Sequence, residues 1–338
     1  MDMDRHRRAR IDSGAHVPAR RILITGVANF WGANLARALL ADDDVERVVG
    51  IDTRTPPDDV AAAVELVDAD LRAPELRTLI RAFAVDAIVH ADIPQFPEPG
   101  RAARQLHDVT VMGTLQLLAA AGDLSTLRTL VVRGSASIYG SAPAAPAFFT
   151  EDMAGGGSDR GATRFQRDMA ELEKLVEGFA GRRRDVTCTV LRCQPVIGSW
   201  LETPITQLLR APVVPVTLGF DPRVQVLHET DSVRVLHHAV HHPVAGPVNV
   251  AGPGAMSLSA AIRRMGRRAL PIPHPLFGTV VGAATRLGLP PMSEDTVRYL
   301  RYGRGVATER MTGELGFTPR YDTRAAIGAV ADELREAA

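Results

Sequence analysis

The segment Ile22-Leu23-Ile24-Thr25-Gly26-Val27-Ala28-Asn29-Phe30-Trp31-Gly32 constrains this chain more than any other. A short apolar run stops at a glycine, and Leu35, Ala38 and Leu39 then recur at helical spacing. A buried strand must therefore turn tightly into an amphipathic helix. Gly26 permits the turn, Gly32 permits close contact between helix and sheet, and the N–H groups that open the helix face outward to receive a phosphate. The middle position of this G-x-x-G-x-x-G pattern is Asn29. Asparagine tolerates positive φ better than other non-glycine residues, so the turn is expected to keep its shape with the Asn29 side chain pointing away from the phosphates.

The alternation of short strand and helix then repeats. Strands are expected over 47–51, 64–67, 87–90, 127–132 and 186–191, and helices over 74–83, 101–121 and 165–180. This spacing implies a parallel sheet covered on both faces, an α/β fold of the Rossmann-type, doubly wound kind. Beyond Pro195 the texture changes: prolines cluster at 204–222 and again at 271–291, with short helices between. The chain is expected to divide into a disordered tail over 1–19, a dinucleotide-binding domain over 20–195 and a small C-terminal substrate domain over 196–338, partly interleaved with the first.

Composition narrows the function. Lys+Arg and Asp+Glu both number 39, so no net field favours nucleic acid or an anionic membrane. Lys174 is the one lysine in the chain. Cys188 and Cys193, five apart near one expected strand, point to opposite faces and do not bridge, which suggests a reducing compartment. Arg20-Arg21 precedes an apolar stretch, but Asn29 and Asn34 interrupt it and no small-residue cleavage site follows. The apolar run 276–289 contains Arg286 and falls short of the roughly 20 residues a spanning helix needs, so it reads as a helix packed on the second domain. A cytoplasmic protein with no integral membrane segment is expected.

Asp52 closes the second expected strand, 20 residues after Gly32. A carboxylate there accepts hydrogen bonds from adenosine ribose hydroxyls and repels a 2′-phosphate, favouring NAD over NADP. Arg54 stands close enough to oppose that preference.

At this point the chain resembles the extended short-chain dehydrogenase/reductases of the NAD-dependent epimerase/dehydratase family, of which UDP-glucose 4-epimerase is a well-known type. The resemblance spans about 21–324. It rests on the turn, Asp70-Leu71, Ile88-Val89-His90-Ala91, Val111-Met112-Gly113-Thr114, Gly134-Ser135-Ala136-Ser137-Ile138-Tyr139-Gly140, Leu191-Arg192, Leu227-His228-Glu229-Thr230-Asp231 and Glu314-Leu315-Gly316-Phe317-Thr318-Pro319. The Leu-His-Glu-x-Asp segment is similar to that of actinobacterial members. The resemblance implies that Gly26, Asn29, Phe30, Trp31, Gly32, Asp52, Asp70, Leu71 and Ala91 hold NAD, and that Ser135 contacts the reacting hydroxyl of a nucleotide sugar. It also implies a homodimer formed by helices 101–121 and 165–180, and Arg223 as a contact to the sugar nucleotide.

The family's proton-transfer pair, Tyr-x-x-x-Lys on the helix after that serine, is missing. Pairing to Lys174 would need tyrosine at Ala170, and the four tyrosines, Tyr139, Tyr299, Tyr302 and Tyr321, lie elsewhere. Taking Glu173 as the glutamate that follows the lysine by four puts Phe165 and Met169 in the pair's positions, where neither transfers a proton. Taking Glu171 puts Thr163 and Arg167 there. Thr110 and Pro195 stand where the family usually has asparagines.

Three other constellations compete. His237, His238, His241 and His242 form two i, i+4 pairs with a spacing that can chelate zinc, yet no cysteine accompanies them, and they read as polar groups near a helix C-terminus; no metal is expected. Ser135 lacks the setting of a hydrolase nucleophile. Arg298, Arg301 and Arg304 read as a solvated basic face rather than a diphosphate clamp. The expected function is therefore that of an NAD-dependent epimerase/dehydratase-like oxidoreductase acting on or binding a nucleotide sugar, catalytically atypical. The alternatives are a pseudoenzyme that binds NAD or a nucleotide sugar as a sensor or scaffold, and a lipid-associated protein using 276–289.

Overall fold

The computed structural model describes residues 21–97, 103–153, 161–286 and 292–336. Seven strands, β1 (Arg21–Thr25), β2 (Arg47–Asp52), β3 (Glu65–Asp68), β4 (Ala87–His90), β5 (Thr129–Ser135), β6 (Thr187–Cys193) and β7 (Gly246–Val250), lie in the order β7-β6-β5-β4-β1-β2-β3. Every pairing in this sheet is parallel. The order reverses between β1 and β4, which opens a crevice at the carboxyl ends of the strands, where doubly wound sheets bind ligands.

Side chains alternate across each strand, so Leu23, Ile88 and Leu130 face one side while Ile22, Ile24, Val89 and Val131 face the other. The first side is covered by α2 (Leu76–Phe83), by α3 through 103–121 and by α4 (Arg164–Arg182), with Ile80, Leu117, Phe165, Met169 and Leu172 in one cluster. The second side is covered by α1 (Phe30–Leu40) and α5 (Glu229–His241), through Leu35, Leu39, Leu236 and Val240. Cys188 belongs to the first cluster and Cys193 to the second, and both are free thiols.

Helix α3 departs from the single regular helix expected. It is α-helical over Ala103–His107, π-helical over Asp108–Met112 and α-helical again over Gly113–Ala121. A π segment inserts an extra residue into a turn and rotates everything after it. Here the Thr114 hydroxyl takes up the Thr110 carbonyl at 2.5 Å.

The later half of the chain builds a third cluster with Ile205, Leu208, Val224, Ile262, Phe277, Tyr299 and Ile327, while its strand β7 pairs with β6 in the main sheet. The helix Phe277–Arg286 packs through Phe277 and Val281, as the 276–289 reading required, although Leu276 is half exposed. No helix among the described residues is long and apolar enough to cross a membrane. The expected tail 1–19, the expected start of α3 at Arg101 and the stretch 287–289 lie outside the described residues.

Candidate dinucleotide site

A cavity of about 440 Å³ opens over the carboxyl ends of β1 to β5, lined by Asn29, Trp31, Asp52, Asp70, Leu71 and Arg133 among others. The turn beneath it needs both glycines. Gly26 has φ +70°, and a Cβ there would lie 2.5 Å from Asn29 Nδ2 and 2.9 Å from Asp92 Cβ. A Cβ on Gly32 would lie 2.2 Å from the Gly26 carbonyl.

Asn29 departs from its expected conformation. Its φ and ψ are −82° and 168°, an extended backbone, and it caps α1. Its Oδ1 accepts from the Gly32 N–H at 2.9 Å and its Nδ2 donates to the Ala91 carbonyl at 3.1 Å. The side chain thus turns inward, because an extended N-cap lets a short polar side chain satisfy a donor that the helix leaves orphaned. The N–H groups of Phe30 and Trp31 still head the first turn, where a helix supplies no acceptor of its own.

Asp52, 9% exposed, accepts the backbone N–H groups of Ala28 and Arg54, each at 3.0 Å, and Nε of Arg54 at 3.2 Å. Carboxylate and competing guanidinium are therefore one paired unit. Asp70 accepts from the Arg72 N–H and Nε, both at 2.8 Å, and the Arg72 side chain holds its carboxyl below the usual range. Of the residues expected to hold the cofactor, Asn29, Trp31, Asp52, Asp70 and Leu71 converge on the cleft. Ala91 is fully buried and spends its carbonyl on Asn29. Phe30 faces elsewhere: successive helical residues diverge by about 100°, which turns its ring into a separate cavity of about 790 Å³ shared with Trp200, His228 and Tyr321.

Sequence reasoning missed Arg133. It shares the Val131 face of β5, is 2% exposed, and lays its guanidinium 3.8 Å from the centroid of the Trp31 ring. The indole is itself fixed, donating from Nε1 to Ser232 Oγ at 3.0 Å. Arg133 reaches the Ala91 carbonyl only at 3.5 Å, and burial pushes its pKa down to about 10. The one signal in the sequence is an arginine inside an apolar strand.

On the opposite flank of the crevice, Ser135 ends β5 and is 3% exposed; its Oγ accepts from the Ser137 N–H at 3.1 Å, capping the short turn Ala136–Tyr139. The Tyr139 hydroxyl donates to Asn249 Oδ1 at 2.7 Å and accepts from Arg192 Nη1 at 2.6 Å, and burial raises its pKa. Arg192 in turn forks onto Glu173 of α4, at 2.9 and 2.6 Å. Phe165 and Met169, each 2% exposed, lie on the buried face of that helix. Glu171 and Lys174 are exposed. Thr163 is the N-cap of α4 and donates to Asp295 Oδ1 at 2.6 Å, and Arg167 is exposed and holds the Ala162 carbonyl. Asp168, beside Met169, pairs with His107 Nδ1 at 2.9 Å. The buried Thr110 hydroxyl has no hydrogen-bond partner, and the Pro195 carbonyl accepts from the Leu227 N–H. Fully buried His90 links Thr25 and Thr114 at 2.7 and 2.9 Å, and burial pushes its pKa down to about 3.

Arg223 is exposed and lies over Phe148, 5.4 Å from the ring centroid, outside the cleft lining. The solvated basic face fails for Arg304, which is buried and holds Gln194 Oε1 at 3.3 Å, because Gly303–Arg304 pairs as a short strand with Arg223–Val224. Arg298 pairs with Glu294 and Arg301 with His274, so the three do not form one clamp. The Leu227–Asp231 segment is a brace: Glu229 accepts the N–H groups of Ser199 and Trp200, and Asp231 those of Arg320 and Tyr321. The histidines acquire a partner that spacing alone did not show, since Nε2 of His237 and of His241 lie 2.8 and 3.1 Å from Oδ2 of Asp42.

Residues 22–251 match the model of the NAD dependent epimerase/dehydratase family. An uncharacterized protein of Mycobacterium tuberculosis (strain ATCC 25618 / H37Rv) is 34% identical over 308 residues, covering 89% of this chain and 81% of that protein. Among solved structures, dTDP-glucose 4,6-dehydratase from Bacillus anthracis str. Ames in complex with NAD superposes with a TM-score of 0.69 at 17% identity, covering 94% of this chain and 97% of that one. A UDP-galactose 4-epimerase superposes with a TM-score of 0.67 at 21% identity, covering 94% and 99%. At these identities the structures establish a shared fold.

Proposed function

The chain belongs to the NAD dependent epimerase/dehydratase family, and we propose that it keeps the family's dinucleotide cleft and nucleotide-sugar ligand class while lacking the family's proton carrier. The residues present fit the cofactor: the turn is built on two glycines whose Cβ positions are blocked by backbone and by the Asn29 amide, and a carboxylate stands at the end of β2. When bound, NAD supplies a hydride acceptor. In this reading the Phe30 and Trp31 N–H groups receive the pyrophosphate, Asp52 receives the adenosine ribose hydroxyls and Asp70 with Leu71 borders the adenine. Arg133 adds a buried positive charge to the cleft, in a setting of low dielectric where charges act strongly.

The observation that carries the reading is the Glu173–Arg192 ion pair at 2.6 Å. It supports Glu173 as the glutamate that follows the family's lysine, and with it the reading that puts Phe165 and Met169 in the pair's positions. Neither side chain ionises or donates a proton. Loss of a positioned general base costs about 10²- to 10⁴-fold in rate, and in this reading Ser135 remains as a contact to the reacting hydroxyl. A dimer through α3 and α4 is in keeping with the half-exposed Met112 and Leu115 on α3.

The test is turnover of UDP-glucose by the purified protein supplied with NAD. Epimerisation should be absent or far below the median enzymatic rate of about 10 s⁻¹. Turnover near that rate would require a proton carrier outside α4 and would overturn the assignment.

A further inference from the structure

We propose that Asp42, His237 and His241 form a binding site for one first-row divalent cation, with Zn²⁺ as the reference ion, which fastens the end of α1 to the end of α5. One ligand atom from each residue lies within 4.8 Å of the other two. The two imidazole rings stand one helical turn apart on α5, with centroids 4.9 Å apart, and both present Nε2 to the same carboxylate oxygen. Around a tetrahedral ion with bonds of about 2.0–2.1 Å, neighbouring ligand atoms stand roughly 3.3 Å apart. The separations of 2.8 and 3.1 Å therefore need to open by only a few tenths of an ångström.

The electrostatic setting favours a cation. Helix α1 ends at Leu40, two residues before Asp42, and α5 ends at His241. Both helix C-termini carry partial negative charge and converge on this point. Asp43 and Asp44 follow Asp42 in the chain and add to that charge. The imidazoles are neutral ligands once each carries its proton on Nδ1, which frees both Nε2 lone pairs. Side-chain exposures of 30%, 17% and 24% for His237, His241 and Asp42 admit water to complete the shell. His238 does not join, because its Nε2 lies 2.7 Å from the Leu315 carbonyl, on another side of the helix. None of the three ligands lines the dinucleotide cleft, so the ion acts as a clip rather than a participant there.

Isothermal calorimetry of the untagged full chain with zinc chloride tests this. One ion should bind per chain at micromolar or tighter affinity, and the melting temperature of the ion-loaded protein should rise. Changing even an outer-shell partner of a metal ligand costs about 10- to 100-fold in affinity, so Asp42→Asn and His241→Ala should each weaken binding by at least that much. His242→Ala, an exposed histidine outside the cluster, should leave it unchanged. X-ray absorption of the zinc-loaded parent protein gives a readout that needs no variant: two imidazoles in the first shell are expected. Fewer than two imidazoles, no saturable binding, or equal loss in His242→Ala and His241→Ala would each overturn the proposal.

Discussion

Glu173 Oε2 and Arg192 Nη2 meet at 2.6 Å between helix α4 and strand β6, and the same guanidinium reaches the Tyr139 hydroxyl at 2.6 Å. This pair ties α4 to β6, beside the apolar face that the helix packs on the sheet. Positions 165, 169 and 173 repeat every four residues and so lie on one helical face. In the register proposed above, that face carries phenylalanine and methionine in place of a phenol and an ammonium.

Restoring the pair should therefore restore chemistry. The double change Phe165→Tyr and Met169→Lys should give measurable NAD reduction or epimerisation with UDP-glucose, at least tenfold above the parent and within the roughly 10²- to 10⁴-fold span of a general base. Thr163→Tyr with Arg167→Lys is the register control and should give none, since Thr163 is the helix cap and Arg167 is exposed. Activity in the control alone would place the register two residues away.

Arg133→Met should separate binding from stability. A buried guanidinium with hydrogen bonds of 3.5 Å is costly to desolvate, so an apolar side chain of similar length should leave the melting temperature equal or higher. A hydrogen bond to a charged group contributes about 1.5–3 kcal/mol, so NAD affinity should fall by about tenfold or more. Unchanged affinity in calorimetry would remove Arg133 from the cleft's function.

His90 should make stability fall in acid. Its folded pKa is pushed down to about 3 by burial, against about 6.5 in an unfolded chain. The unfolded state then binds more protons below pH 6.5, so the contribution of His90 is complete above that pH and is lost progressively toward pH 3. Urea unfolding between pH 6.5 and 4.5 should show a steeper slope in the parent than in His90→Gln, by up to about 1.4 kcal/mol per pH unit. Equal slopes would mean that His90 is protonated in the folded protein.

The turn, the strand alternation and the carboxylates at strand ends were legible because each is local: a glycine, a period of two or a period of 3.6 is written within a dozen residues. Asn29 differs from the expected positive φ because it caps α1 through the Gly32 N–H, and its amide also meets the Ala91 carbonyl, 62 positions away and invisible to a local pattern. Arg133 carries no local pattern of its own, because the Trp31 ring it packs on comes from a distant part of the chain. Asp42 is 195 residues from His237, so the histidine pairs read as isolated. The burial of Arg304 follows from a two-residue strand too short to carry a pattern.

Calorimetric titration of the purified protein with NAD, and separately with NADP, decides whether this cleft holds a dinucleotide. Saturation at one site per chain is expected, with NAD bound more tightly than NADP, because Asp52 meets the ribose and stays paired with Arg54. Binding of neither cofactor at millimolar concentration would mean that the Asn29 cap on Gly32 has closed the turn. NADP bound as tightly as NAD, or more tightly, would mean that Arg54 rather than Asp52 governs the cleft.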